Sequence, residues 1–346
     1  MEKYTYFQKR DIQNNNELIK LEKELPIFCE EYFIGIESKT TPLTRLGYAQ
    51  DLKIFFNFLT TQILAFLDKN VRDLTFSDLE KITETHIEKF LIYLNSYESN
   101  NKLLVNSVKT KARKFSSVCS LLRYFYRKGK ISQNVSEKLD RPKLREKEII
   151  KLEPNEISKL LDTVESGENL TPTEKRYHDI NKKRDTAILT LFLGTGIRIS
   201  ELIGIDINDI DFSQNAFTIT RKGGNRVILY FSDEVKQTLL DYADERETKD
   251  VQENAFFLSM QNKRLTTRAV QKLVKKYCKT VTPLKRITPH KLRSTFGTNL
   301  YRETGDIYVV ANVLGHKDVN TTKKYYAAIS EDIRRSAANK VKLRKN

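Results

Sequence analysis

Apolar residues recur at steps of three and four through the first half of the chain, which is the spacing of helices that bury one face. The segments "TRLGYAQDLKIFFNFLTTQ" and "THIEKFLIYLNSY" both follow this spacing. A third segment, "SVKTKARKFSSVCSLLRYFYRKGK" (residues 107–130), combines one apolar face with basic residues on its remaining surface. Gly129 is expected to end that helix. The pattern therefore predicts an all-helical N-terminal domain.

The second half combines helices with one predicted hairpin. "EPNEISKLLDTV" and "KKRDTAILTLFL" predict helices, and we expect the segment between them, residues 165–180, to be a surface loop. In "AFTITRKGGNRVILYF", apolar and polar residues alternate on both sides of Gly223–Gly224, which predicts two strands joined by a two-residue turn. We predict a mainly α fold, in which an all-helical N-terminal domain precedes a mostly helical C-terminal domain with a small antiparallel β-sheet.

The length of 346 residues exceeds the usual size of one domain. Residues 134–149 have no apolar period, mixed charge and a central proline, as expected of a linker. We therefore divide the chain into an N-terminal extension (1–23), a helical domain (24–133), a linker (134–152), a second domain (153–335) and a basic tail (336–346).

Charge is unevenly distributed along the chain. Of the net charge of +16, residues 1–100 contribute −4, residues 101–150 contribute +10 and the remainder contributes +10. An abrupt basic excess suits binding to a polyanion, above all nucleic acid, although a lysine-rich surface kept for solubility is the alternative. The candidate DNA contacts are the basic side chains of the helix at 107–130, namely Lys109, Lys111, Arg113, Lys114, Arg123 and Arg127.

Several function classes are disfavoured by composition. The chain has no run of about 18 uncharged apolar residues and no apolar signal-peptide core, so we expect a cytoplasmic protein that neither spans a membrane nor is secreted. Cys29, Cys119 and Cys278 are scattered and are expected to be buried packing residues. No metal-ligand cluster or glycine-rich nucleotide loop is visible, so we predict no metal and no cofactor.

Two polar motifs are candidates for chemistry. In "GTGIRISEL", Arg198 lies at the edge of a turn, and Glu201 three residues later could orient it by an ion pair. A surface salt bridge is the alternative interpretation of this pair. In "ITPHKLR", the first residues fit a helix start, so that His290 and Arg293 share one helix face. A histidine beside an arginine near a helix N-terminus favours anion binding combined with proton transfer.

Together these motifs fit attack on a phosphodiester. Two arginines can neutralise the nonbridging oxygens with permanently charged, planar forks. Lys222, at the predicted hairpin tip, could protonate the departing 5′ hydroxyl. A tyrosine, whose reference pKa is about 10, can form a covalent link when cationic neighbours activate it. The segment "LGHKDVNTTKKYY" offers His316 and two such tyrosines, Tyr325 and Tyr326.

The motifs "GTGIRISEL", "RKGGN", "HKLR" and "LGHKDVNTTKKYY" occur in the order and approximate spacing of the tyrosine recombinase (phage integrase/Xer) family, which the chain resembles over residues 154–335. Residues 24–130 resemble the core-binding domain of that family. The resemblance implies a site-specific recombinase that breaks and rejoins DNA through a 3′-phosphotyrosyl link and a four-way junction, without metal or ATP. The implied catalytic set is Arg198, Lys222, His290, Arg293, His316 and Tyr325, supported by Glu201.

The same resemblance implies partners and a nucleophile. The partners would be double-stranded DNA recombination sites and further copies of the chain, monomeric or dimeric when free and a homotetramer on paired sites. Tyr325 and Tyr326 follow His316 by nine and ten residues, and both spacings occur in the family. The paired threonines favour Tyr325, and because a helix turns about 100° per residue, Tyr326 is expected to pack. Many members carry His or Lys where this chain has Ser294, so local packing is expected to differ there.

Two other functions stay open at this point. A type IB topoisomerase shares much of the chemistry but relaxes supercoils as a monomer. A noncatalytic DNA-binding accessory protein of the same fold would be expected to have lost some of the polar positions. Among recombinases, the motifs do not separate mobile-element integration or excision, Xer-like dimer resolution and inversion. The lack of an evident arm-binding domain favours a simple Xer-like or small mobile-element recombinase.

Overall fold

The computed structural model describes residues 4–99, 101–142, 150–221, 224–249 and 251–315. The chain divides into two compact units, residues 1–146 and residues 147–346, and the division falls inside the predicted linker. Within the described ranges the chain forms thirteen α-helices and two small antiparallel sheets, which confirms the predicted mainly α class. None of the helices in these ranges is both long and apolar enough to cross a bilayer.

Unit 1 is built mainly from helices. They are α1 (Tyr6–Glu22), α2 (Cys29–Gly35), α3 (Pro42–Gln62), α4 (Phe76–Glu80), α5 (Glu84–Tyr93) and α6 (Val108–Arg127). The apolar stripes of α3 and α6 face a core rich in aromatic rings, in which Phe55, Phe90 and Phe125 are fully buried. Gly129 follows α6 with a positive φ of 65°, as expected of a residue that ends a helix.

The N-terminal domain is not all-helical as predicted, because unit 1 also contains a β-hairpin. Its strands, β1 (Ser96–Ser99) and β2 (Lys102–Val105), are joined by a two-residue turn in which Asn101 has a φ of 57°. Tyr97 is the buried side chain of these strands, and every residue of β2 is exposed. No alternation of apolar and polar residues marks these strands, so periodicity does not predict them. The asparagine in the turn is the local signal that indicates a hairpin here.

Both ends of unit 1 extend past the helical domain predicted at 24–133. Helix α1 packs on α3 and buries Leu18, although it lies within the predicted N-terminal extension. At the other end, Val135 lies within the predicted linker and is buried in the same core. These residues therefore contribute to the packing of unit 1.

Unit 2 is organised around one long helix. Its helices are α7 (Pro154–Ser166), α8 (Pro172–Thr195), α9 (Ile199–Ile203), α10 (Asp233–Glu247), α11 (Thr267–Val281), α12 (Pro289–Thr304) and α13 (Ile307–Leu314). Helix α8 packs against α7, α10 and α12, because the apolar residues of its second half, such as Leu189 and Phe192, are buried on every side. Cys278 is buried on α11, and all three cysteines are free and buried, which confirms the prediction that they are packing residues.

The predicted surface loop at 165–180 is wrong at both ends, because α7 continues to Ser166 and the residues beyond Thr171 are helical. Helix α8 already begins at Pro172, where Thr171 and Glu174 form a capping box. The Thr171 N–H donates to the Glu174 carboxylate (3.1 Å), and the Glu174 N–H donates to the Thr171 hydroxyl (3.3 Å). The sequence "TPTE" carries this signal, and the polar residues that follow lie on the first turns of the helix.

A three-stranded antiparallel sheet lies in unit 2, in the order β3 (Ile210–Asp211), β4 (Ala216–Thr220) and β5 (Arg226–Tyr230). The predicted hairpin is confirmed as β4–β5, and β3 is an additional edge strand. The turn differs from the prediction, because the strands are connected by five residues, 221–225, and the Arg221 N–H donates to the Asn225 carbonyl (2.8 Å).

Candidate active site

Arg198 precedes α9 and caps the N-terminus of that helix. Its backbone N–H donates to one carboxylate oxygen of Glu201 (2.9 Å), and its Nη1 donates to the other (2.7 Å). Glu201 is only 4% exposed, whereas the Arg198 side chain is 37% exposed. The predicted ion pair is therefore present, and it is not a surface salt bridge, because a buried carboxylate holds an accessible guanidinium.

Arg293 connects three helices. It lies on the second turn of α12, for which Thr288 is the N-cap residue and Pro289 the first helical residue, as the sequence predicts. The Arg293 side chain is 5% exposed, and its Nη1 donates to the Gly196 carbonyl at the end of α8 (2.6 Å) while its Nη2 donates to the Leu314 carbonyl. His290 lies one turn earlier on α12 and is exposed.

Two glycines allow the elements around Arg293 to approach closely. Gly196 has a φ of 61°, and a Cβ there would overlap with the Phe296 ring of α12. Gly315 ends α13 with a φ of 62°, and a Cβ there would overlap with the guanidinium of Arg221. Glycine is suited to both positions because it adopts the left-handed conformation without strain and leaves room for its neighbour.

Three arginines converge on the C-terminal end of α13, and we call Arg198, Arg221 and Arg293 the arginine cluster. They donate to three consecutive carbonyls: Arg221 Nη2 to Val313 (2.9 Å), Arg293 Nη2 to Leu314, and Arg198 Nη2 to Gly315 (3.1 Å). The carbonyls at a helix C-terminus carry partial negative charge, which favours these contacts. The three donors come from the end of β4, from α12 and from the start of α9.

Among the described side chains, the three guanidiniums of the arginine cluster and the carboxylate of Glu201 leave a positive excess, with Glu201 bonded to Arg198 and close enough to Arg221 to influence its pKa. Burial lowers the pKa of Arg221, and Arg198 lowers it further, while Glu201 opposes both effects. Guanidinium groups nevertheless stay protonated in proteins, so the cluster is cationic at neutral pH. Such an arrangement can bind the oxygens of a phosphate through planar, charge-assisted hydrogen bonds. Among the described residues, no group of His, Cys, Asp or Glu side chains is arranged to hold a metal ion.

The sequence of the chain matches a known protein family. The family model described as the phage integrase family matches residues 151–332. The chain belongs to the phage integrase family. The tyrosine recombinase XerC of Caldanaerobacter subterraneus subsp. tengcongensis is 32% identical over 319 residues, which cover 89% of this chain and 84% of that protein. The tyrosine recombinase XerS of Lactococcus lactis subsp. cremoris is 30% identical over 349 residues, covering 90% of this chain and 95% of its own.

These matches make this member of the phage integrase family a site-specific tyrosine recombinase. Solved structures show the same fold. The XerH recombinase in a post-cleavage complex with a palindromic difH substrate has a TM-score of 0.68 at 18% identity, covering 98% of this chain and 90% of that one. A lambda integrase dimer bound to a COC′ core site has a TM-score of 0.58 at 18% identity, covering 94% of this chain and 81% of that one.

The fold of the recombinase brings part of the predicted catalytic set together. Arg198 and Arg293 meet at the end of α13, and His290 precedes Arg293 by one helical turn. Lys222, His316 and Tyr325 lie outside the described residues. The site also contains Arg221, which sequence reasoning did not select. It lies directly before Lys222 in "TRKGGN", but its contact with Val313, 92 residues later, has no local sequence signal.

The basic helix α6 presents its cations unequally. Lys109 and Arg127 are exposed, Arg123 is half-buried, and Lys111 is half-buried with its Nζ bonded to an asparagine side chain. Lys114 was expected to lie on the exposed basic face of α6, but its side chain is buried. The remaining cation of the predicted set, Arg113, is exposed and also bonded to α3.

The position of Lys114 has a clear physical cause. Asp51 on α3 is fully buried and accepts hydrogen bonds from Arg113 Nη2 (2.7 Å), Ser117 Oγ (2.8 Å) and Lys114 Nζ (3.4 Å). A buried carboxylate needs such partners, so it draws the Lys114 ammonium inward. Lys114 is therefore used inside unit 1 and is not presented to a ligand.

Proposed function

We propose that this recombinase cleaves double-stranded DNA at specific sites by attack of Tyr325 on a phosphodiester. Arg198 and Arg293 bind the nonbridging oxygens of the scissile phosphate and neutralise charge that develops in the transition state. His290 and His316 add hydrogen bonds and move a proton. Glu201 orients Arg198.

The reaction conserves the energy of the phosphodiester. The Tyr325 hydroxyl loses its proton and its oxygen forms a bond to phosphorus, which gives a 3′-phosphotyrosyl link. The bond between phosphorus and the 5′ oxygen breaks, and Lys222 supplies the proton that the departing oxygen takes up. Rejoining reverses these steps with a 5′ hydroxyl from the partner strand. Because the covalent link stores the energy of the broken bond, the proposed reaction needs neither metal nor ATP.

The convergence of Arg198 and Arg293 on the last carbonyls of α13 is the observation that carries this proposal. These residues are 95 positions apart in the sequence, yet they bind neighbouring carbonyls at Leu314 and Gly315. His316 is the next residue in the chain, and Tyr325 follows nine residues later. The chain that carries the proposed nucleophile therefore leaves α13 at the two arginines.

We extend the proposal to the partners of the enzyme. The exposed cations Lys109 and Arg127 and the half-buried Arg123 of α6 bind DNA phosphates. The bonded cations Lys111 and Arg113 do so through their remaining donors. Four copies of the chain assemble on two paired sites, cut one strand of each and exchange the ends through a four-way junction. The DNA-bound solved relatives support a DNA partner, since their descriptions name recombinases in complex with DNA substrates.

The proposed biological role is based on the similarity of this chain to Xer recombinases. XerC and XerS recombinases match about nine-tenths of this chain, and the match covers 84% and 95% of their own lengths. This likeness favours a Xer-like recombinase acting in the cytoplasm over the integrase or excision enzyme of a mobile element. Repeats and excision genes in the DNA that flanks the gene would favour the mobile element instead.

A covalent-capture selection tests the proposed function. The full chain is incubated with a library of nicked duplexes of random sequence, and complexes that resist detergent are recovered and sequenced. We expect one recurring site sequence, with the protein joined to the 3′ end of the cut strand. Absence of any covalent complex would contradict the proposal, and attachment to the 5′ end would contradict its chemistry. Relaxation of supercoiled plasmids that lack the recovered sequence would favour a topoisomerase.

A further inference from the structure

Arg221 has no role in the reaction described so far, although it belongs to the arginine cluster. Its backbone is fixed by the β4–β5 connection, where its N–H donates to the Asn225 carbonyl (2.8 Å) and its own carbonyl accepts from the Gly224 N–H (3.0 Å). From this fixed position the side chain reaches the end of α13, in a different part of unit 2.

The guanidinium of Arg221 is directed into the protein. Its Nη2 donates to the Val313 carbonyl (2.9 Å), and the group packs against Gly315 so closely that no Cβ would fit there. Its Nε is buried and has no hydrogen-bond partner within the described part of the chain. These contacts place Arg221 to hold the end of α13.

Helix α13 is short, and its C-terminal end holds two of the proposed catalytic arginines. The helix has eight residues, and its last carbonyls receive the side chains of Arg198 and Arg293. Glu201 and the Gly196 carbonyl also hold these two arginines, but one Nη of each is bonded to the end of α13, so its direction depends on where that end lies. Arg221 binds the carbonyl one residue before theirs, so it completes a row of three contacts that links the sheet to the site.

We infer that Arg221 is a positioning residue of the active site: it fixes the C-terminal end of α13 and thereby orients the guanidinium forks of Arg198 and Arg293 toward the scissile phosphate. This inference rests on the proposed function. A misplacement of about 1 Å in a catalytic group costs on the order of 10²-fold in rate, so loss of this contact affects cleavage more than DNA binding.

Variants of Arg221 test the inference with a matched control. Arg221→Ala removes the contact, and Arg221→Lys keeps the charge and one donor. Arg226→Ala is the control, because Arg226 is a 69% exposed arginine of the same hairpin that forms a surface pair with Asp209. For each variant, the rate of covalent complex formation at saturating DNA, the Kd for the recovered site and the thermal midpoint are measured.

We expect Arg221→Ala to cleave on the order of 10²-fold more slowly than Arg226→Ala, with a similar Kd and a similar thermal midpoint. Arg221→Lys should recover part of the rate, since a lysine can donate to the Val313 carbonyl. Equal rates for Arg221→Ala and Arg226→Ala would overturn the inference. So would a loss that follows the thermal midpoint in both Arg221 variants, since that result would indicate a purely structural role.

A neutral substrate tests whether Arg221 acts through the charge of the two guanidinium forks. In a site with a methylphosphonate at the scissile position, no negative charge needs to be neutralised. Because Arg221 acts through Arg198 and Arg293, we expect this substrate to restore part of the activity of both Arg198→Ala and Arg221→Ala. Recovery of Arg198→Ala without any recovery of Arg221→Ala would overturn the positioning role. If the wild-type chain forms no covalent complex on either substrate, the proposed function itself is wrong. If the wild type cleaves and Arg221→Ala cleaves equally well, only the role of Arg221 is wrong.

Discussion

Glu201 illustrates how a single side chain prepares the site. It is a buried carboxylate, and both of its oxygens accept hydrogen bonds from Arg198, one from the backbone and one from the side chain. A carboxylate is retained in such a place only when its partners compensate for lost hydration. The Arg198 guanidinium that Glu201 binds is still accessible to solvent. The buried contact therefore orients a cation that can bind a substrate.

Replacing Glu201 with glutamine tests this role. Glu201→Gln keeps the shape of the side chain but removes its charge, so the charge-assisted bond to Arg198 weakens. We expect DNA cleavage to slow by roughly tenfold, corresponding to about 1.4 kcal/mol, while DNA binding stays within a factor of about three. The measurement is single-turnover formation of the covalent complex.

Glu245→Gln is a suitable control for that experiment. Glu245 on α10 forms an ion pair with Lys249, just beyond the end of that helix, at 3.1 Å and spaced by four residues. No contact between Glu245 and the arginine cluster occurs in the described part of the chain. The Glu245→Gln variant should cleave DNA at the wild-type rate. If Glu201→Gln also cleaves at the wild-type rate, Arg198 does not depend on the buried carboxylate and the pair is only structural.

Helix α6 carries one exposed and one buried lysine that its sequence does not distinguish. Lys109 is exposed on its first turn, whereas Lys114 is buried beside Asp51 of α3. Burial lowers the pKa of Lys114, and the neighbouring Asp51 counteracts that effect. The two lysines lie five residues apart, but only one of them faces solvent.

The variant Lys109→Ala should therefore weaken DNA binding, whereas Lys114→Ala should lower the stability of the fold. For Lys109→Ala we expect weaker DNA binding and a slope of log K against log salt that is shallower by about 0.9, the value for one phosphate contact, with little change in stability. For Lys114→Ala we expect an unchanged slope and a free energy of unfolding lower by about 1–3 kcal/mol, because Asp51 loses a buried donor. Salt titrations of DNA binding and urea denaturation measure the two effects. Equal salt slopes for wild type and Lys109→Ala would remove Lys109 from the proposed DNA surface.

Local signals explain which elements were predictable. The helix start before His290, the pair of Arg198 and Glu201, and the end of α8 at Gly196 all depend on residues within four positions of each other. The place of Lys114 depends on Asp51, which lies 63 residues earlier, and the place of Arg221 depends on Val313, 92 residues later. Such contacts are set by packing between elements, which apolar periodicity does not encode.

The chain as a whole distributes its positive charge in a way that suits a DNA enzyme. The first 100 residues are net acidic, and the basic excess begins in the segment that contains α6. Unit 2 adds the arginine cluster at the end of α13. The family and the chemistry were predictable because the motifs occur in a fixed order along the chain, whereas the arrangement of the cluster required the fold.

In the proposed reaction, Tyr325 forms the covalent bond to DNA. The covalent complex on the recovered site is digested with protease and nuclease, and the tyrosine that retains a nucleotide is identified by mass spectrometry. We predict the nucleotide on Tyr325, with no complex from Tyr325→Phe and a normal amount from Tyr326→Phe, since the paired threonines that precede the two tyrosines favour Tyr325. A nucleotide on Tyr326, or a covalent complex formed by Tyr325→Phe, would contradict the account.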